Sequence, residues 1–163
     1  MTTTDYATYI AGLPKVLAGA AMLIRDGAGR VLVVEPNYRD GWALPGGTIE
    51  SDEDESPRQA ARRETLEEIG LDVRPGALLA VDWVLGTGRP PLVAYVYDGG
   101  VLDDADLRGI RLQETELLSW KLITPEEIPA HLLGALGLRV RAALDALGTG
   151  RGPAELENGR PAR

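Results

Sequence analysis

The chain predicts a mixed α/β fold, a sheet held between helices, on three observations. Apolar runs of strand length recur at residues 16–24, 30–35, 78–85, 91–97 and 117–122. A helix with its own start and stop signals occupies residues 57–69, and a longer, apolar-striped helix covers 132–147. Strands and helices therefore alternate along one chain of 163 residues, a length that suits a single domain.

The elements follow in order. Residues 16–24 run into Asp26-Gly27-Ala28-Gly29 and residues 30–35 follow, which reads as two strands around a turn. Trp42-Ala43-Leu44-Pro45 is extended and ends at Gly46-Gly47, where a turn would let backbone approach a ligand closely; a plain turn after a strand is the other reading. Ser56 is a natural N-cap, Pro57 suits the first helical position, Gln59 completes a capping box and Gly70 supplies the stop. Residues 78–85 and 91–97 pair across Gly86-Thr87-Gly88, with Gly99-Gly100 ending the pair. The 117–122 strand carries Trp120, and Thr124-Pro125-Glu126-Glu127 opens a short helix. Gly134 and Gly137 interrupt the last helix without removing it.

On the 57–69 helix, Glu64, Glu67 and Glu68 are three and four residues apart and emerge on one side. Like charges one turn apart cost about 0.2–0.5 kcal/mol, and a bound cation reverses that sign. Oxygen donors in a chain with no cysteine and one histidine favour magnesium or manganese over zinc. Taken alone, the helix fits an ordinary solvated face equally well.

With the glycines added, the segment Gly46-Gly47-Thr48-Ile49-Glu50, Glu55 and Arg63-Glu64-Thr65-Leu66-Glu67-Glu68-Ile69-Gly70-Leu71 resembles the Nudix hydrolase signature. That resemblance selects an α/β/α sandwich with a mixed β-sheet. It implies that Glu64, Glu67, Glu68 and the carbonyl of Gly47 hold Mg2+ or Mn2+, that Arg63 orients the acidic cluster, and that Arg63, Glu64, Glu67 and Glu68 are the catalytic set. Glu55 takes the place of the signature's first glutamate. One departure stands out: the family usually has five residues between the glycine and that glutamate, whereas residues 48–54 make seven. Glu50, Asp52, Glu53 and Asp54 make the enlarged loop acidic, and a solvent bulge is the expectation for it. The resemblance covers most of 16–147, with its specific part at 46–71. Residues 1–15 form an N-terminal extension, frayed over 1–9, 16–147 the Nudix hydrolase domain, and 148–163, rich in Gly, Pro, Arg and Glu, a flexible tail.

The resemblance further implies divalent-metal-dependent cleavage of a pyrophosphate linkage. The expected substrate is a nucleoside diphosphate linked to another moiety, of ADP-ribose or nucleotide-sugar type. The alternatives are a nucleoside triphosphate, including an oxidised one, and a catalytically weak nucleotide-binding module. Glu67, Glu114 and Glu116 are the acids considered for the general base, although Glu116 reads first as a surface acid. Trp42 and Tyr38 are expected to stack on a base, and Arg39 and Arg89 to bind phosphate; Trp83 is a weaker candidate, and Trp120 and Trp42 also suit core packing. His131 is solitary and reads as a solvated or capping group.

Composition bounds these readings. A net charge of −8 disfavours a general nucleic-acid surface, yet a metal can neutralise a small anionic substrate locally. The absence of cysteine removes disulfides and thiol catalysis. No basic segment precedes a long apolar core and no apolar run reaches membrane-spanning length, so no membrane partner and a cytoplasmic location are expected. A homodimer is compatible with the resemblance, but the apolar stripes can equally be buried within a monomer.

Overall fold

The computed structural model describes residues 5–86 and 88–163. Strand β1 (Leu17–Asp26) is its hub, because it takes partners along both edges. On one edge it pairs antiparallel with β2 (Val31–Pro36) and, further along, with the short β3 (Gly46–Thr48). On the other it pairs parallel with β5 (Leu92–Leu102). Strand β4 (Leu78–Val84) runs antiparallel to β5, and β6 (Leu117–Ile123) antiparallel to β2, so the sheet is mixed as expected.

Alternate residues of the central strands enter different cores. Met22, Ile24, Leu32 and Val34 join the cluster beneath helix α2 (Pro57–Ile69), whereas Leu23, Val31 and Val33 join the one beneath α4 (Ile128–His131) and α5 (Ala135–Thr149). Both faces are buried, which is why these strands read as continuous apolar runs rather than as an alternation. Two smaller helices, α1 (Tyr6–Ala11) and α3 (Asp104–Arg108), are without buried side chains.

The α2 bounds match the sequence signals. Ser56 accepts from the Gln59 amide while the Gln59 side chain accepts from the Ser56 amide, and Gly70 closes the helix at φ 73°, a left-handed conformation that favours glycine. Other expectations are corrected. Gly46-Gly47 form strand β3 rather than a turn, with Ala20 opposite Gly47 and Ala21 opposite Gly46. Gly99-Gly100 do not end β5: pairing with β1 continues past an irregularity to Arg25–Val101 and Asp26–Leu102. The last helix starts at Ala135, with residues 128–131 forming a separate turn of helix. The 86–88 turn includes Thr87, and the frayed start includes 1–4, both outside the described residues; residues 6–11, part of that extension, are helical.

The tail expectation over 148–163 is also corrected. Strand β7 (Ala154–Glu157) extends the sheet parallel to β4, and β8 (Arg160–Pro161) turns back on it. Leu156 is only 3% exposed, within the α5 core. The turn is tied down by Asp82, fully buried on β4, which accepts from the Gly159 amide at 3.0 Å and from Arg139 Nε at 2.8 Å. Leu156→Ala should therefore lower the free energy of unfolding by about 2–4 kcal/mol in urea titrations, whereas Glu155→Ala should stay within about 0.5 kcal/mol. Equal, negligible effects would mean that the segment does not pack in solution.

Candidate active site

The site is built where α2 crosses β3. Glu68 is buried, 5% exposed, and its carboxylate accepts from the Gly46 amide at 2.9 Å. Glu64, one turn earlier, lies against Gly47: a Cβ on that glycine would sit 2.5 Å from the Glu64 carboxyl carbon. Gly46 is equally constrained, since a Cβ there would meet Ala21 Cα at 2.6 Å. The two glycines are thus needed for close approach, of β1 on one side and of a carboxylate on the other.

Arg63 ties the acids together. Its Nε and Nη2 hold both oxygens of Glu55 at 2.6 and 3.0 Å, its Nη1 reaches Glu64 at 3.0 Å and Glu67 at 3.2 Å, and its Nη2 also donates to the Thr48 carbonyl at 3.1 Å. A planar fork suits this simultaneous engagement in a way that an ammonium does not. The bond from Arg63 holds the Glu55 carboxyl below its ordinary range. The same contact with Glu55, followed by those with Glu64, raises the Arg63 guanidinium pKa further.

The enlarged loop bulges into solvent, as expected, and returns Glu55 to its place. Ser51–Glu53 form a 3-10 turn, Asp54 adopts φ 57°, and the Glu50 amide donates to Glu55 at 2.9 Å. Its acids are exposed.

Crowding sets the charge state of the buried acids. Burial raises the Glu68 carboxyl most; the Gly46 amide opposes this, and Glu64, Glu116 and Glu67 add repulsion, with the result pushed up to about 8. Burial also raises Glu64, against the pull of Arg63. Glu116 reaches this cluster because the amides of Arg111 and Gln113 bond the Ile69 and Glu68 carbonyls, pinning its loop to the end of α2. Glu116 is exposed, and its charge acts on both Glu64 and Glu68; Glu114 is absent from the groups acting on either.

Beside Glu68 opens a cleft of about 610 Å³, lined by Gly46, Gly47, Tyr38, Arg39 and Arg89 among others. Trp42 does not line it, which corrects the expected placement: Lys121 Nζ lies 4.2 Å from its ring centroid, His131 packs edge-on, and the ring joins the α5 core. Trp83 is exposed on β4 outside the cleft, and Trp120 packs against the α2 core. Sequence reading missed Arg139, which lines the cleft from α5; its signal was the less exposed of two arginines, Arg139 and Arg141, on a largely apolar helix.

The donor set is entirely oxygen, glycine leaves room beside it, and crowding destabilises its anions, so these residues fit a hard divalent cation. Among the described residues no three carboxylates form a ready-made cage, since Arg63 holds Glu64 and Glu67.

The NUDIX domain family matches residues 15–143. A MutT-like protein of Streptomyces ambofaciens is 29% identical over 129 residues, 79% of this chain and 77% of the relative. An RNA pyrophosphohydrolase of Dinoroseobacter shibae is 31% identical over 124 residues, 66% of this chain and 76% of the relative. The crystal structure of a MutT protein from Methanosarcina mazei Go1 superposes with a TM-score of 0.66 at 22% identity, covering 85% of this chain and 98% of that one.

The Glu68 shift has a signed consequence for stability without divalent ions. The folded-state value, about 8, lies above the ordinary 4.5, so folding carries no penalty below 4.5, a growing one between 4.5 and 8, and the full one above. In chelator, Glu68→Gln should match the native chain near pH 4 and exceed it by about 2–4 kcal/mol at pH 9 in denaturant titrations. A constant difference across that range would refute the shift.

Proposed function

The chain belongs to the NUDIX family and is a pyrophosphohydrolase acting on phosphoric anhydride bonds, and from that premise we propose that it hydrolyses a nucleoside triphosphate to the monophosphate and pyrophosphate. The observation carrying this is the acidic cluster of α2 beside a cleft lined by three arginines, two of them, Arg39 and Arg89, exposed. Similarity to a MutT-like protein and to an RNA pyrophosphohydrolase supports a triphosphate over the diphosphate-linked moiety expected from the sequence.

In this reading Glu64, Glu67, Glu68 and the Gly47 carbonyl would hold Mg2+ or Mn2+, with Arg63 keeping the acids in register. When bound, such an ion would supply charge neutralisation for the phosphate oxygens and would acidify water. Arg39 and Arg89, both exposed at the cleft, take the remaining phosphate charge through forked donors. Water oxygen forms the new bond to phosphorus as the anhydride bond breaks to pyrophosphate. The proton lost by water passes to a carboxylate at the edge of the cluster, for which the solvent-exposed Glu67 and Glu116 are the candidates.

Mass spectrometry of products from a mixed panel of triphosphates, ADP-ribose and nucleotide sugars, with magnesium, tests the reading. Monophosphate plus pyrophosphate is expected; monophosphate plus a sugar phosphate, with triphosphates untouched, would return the assignment to a diphosphate-linked substrate. Alanine at Glu64, Glu67 or Glu68 should lower turnover about 100-fold or more at saturating magnesium, and undiminished turnover in all three would remove them from the site.

A further inference from the structure

We propose that Arg139, held by Asp82, reads the nucleobase, selecting an edge that presents a carbonyl oxygen beside a ring nitrogen. This deepens the triphosphate reading and rests on it for the substrate's position, with the phosphates at the α2 end of the cleft.

Arg139 differs from the other cleft arginines in its charge balance. Its Nε donates to Asp82, which is fully buried, while its own side chain is 11% exposed. Arg39 and Arg89 donate only to nearby backbone carbonyls and form no ion pair among the described residues. A phosphate brought to Arg139 would meet a cation already paired, with an acidic side chain behind it. A neutral acceptor edge meets no such repulsion. The two terminal nitrogens of Arg139 donate to no other described residue and are not among the buried atoms lacking partners, so donor capacity is left over on a side chain that lines the cleft. Two parallel N–H groups match a pair of adjacent acceptors on a base, the geometry by which arginine reads guanine elsewhere.

The surroundings suit a flat ring. On β4 and β5, Asp82 is opposite Ala94 and Val84 opposite Leu92, so Val84, Leu92 and Ala94 form an apolar floor on the same face as the ion pair. Leu136, one helical turn before Arg139, closes it from α5. The pair cannot easily swing away: the other Asp82 oxygen is taken by the Gly159 amide of the C-terminal turn. Asp82 is thus a positioning residue, and Arg139 the group that touches substrate.

The test is kcat/KM with magnesium for GTP, ITP, CTP and ATP. Guanine and hypoxanthine offer O6 with N7 and cytosine offers O2 with N3, whereas adenine has an amino donor where guanine has its carbonyl. The best of GTP and CTP should exceed ATP by about tenfold or more, chiefly through KM, with ITP following GTP. Arg139→Lys keeps the charge and loses the fork, and should bring the ratio to within about threefold, because kcat/KM falls more for the best substrate than for ATP. Because removing one partner of a buried pair can unfold the protein, the neutral double variant Asp82→Asn with Arg139→Gln, verified by thermal melting, should lose the same discrimination. ATP matching the best substrate in the native chain, or variants lowering all four substrates equally, would overturn the proposal. If triphosphates are untouched and GDP- and ADP-linked sugars are cleaved, the triphosphate reading alone fails. The GDP-to-ADP ratio and its loss in Arg139→Lys then decide the base contact in the same way.

Discussion

The approach of the Glu64 and Glu68 carboxylates to the backbone of Gly46-Gly47 is the contact on which the rest of the site depends. Glu68 anchors strand and helix to each other through the Gly46 amide, and it does so as a buried acid among three other acids. A single hydrogen bond to a charged group contributes about 1.5–3 kcal/mol, less than full burial of an unpaired carboxylate costs. The arrangement holds because Arg63 engages Glu55, Glu64 and Glu67, and because the buried acid binds a proton readily. A divalent cation would relieve the same crowding.

Strand β1 fixes where this contact can occur. Its pairing with β3 places the glycines opposite Ala20 and Ala21, and its pairing with β5 places the apolar floor of the cleft beside them. The sheet then continues through β4 to β7, where Asp82 links the strand, α5 and the C-terminal turn. Glu68 and Arg139 are therefore brought to the cleft by different layers: α2 on one face, α5 on the other. No described helix is long and apolar enough to cross a membrane.

Features encoded by local chemistry were legible in the sequence. The bounds of α2 follow from Ser56, Pro57, Gln59 and Gly70, each acting within one turn of its own position, and the clustering of Glu64, Glu67 and Glu68 follows from helical spacing. Features that depend on distant partners were not. Ala154–Glu157 has one buried side chain, Leu156, and is a strand only because β4 offers it an edge. Trp42 precedes the glycines in sequence, but Lys121 and His131, far along the chain, draw its ring away from the cleft. Gly46-Gly47 read as a turn until β1 is seen to require the small size of the first and Glu64 that of the second. The reach of Glu116 depends on backbone bonds between its loop and the end of α2 that no local pattern announces.

The central claim is that burial and the neighbouring acids raise the Glu68 carboxyl, and that a cation would relieve the same crowding. A carbon-13 NMR titration of the glutamate side-chain carboxyls in metal-free protein measures this directly. The resonance lost in Glu68→Gln should titrate with a midpoint near 8 in chelator, and saturating magnesium should move that midpoint down toward the ordinary carboxylate range. A midpoint near 4.5 in chelator, unchanged by magnesium, would contradict the account.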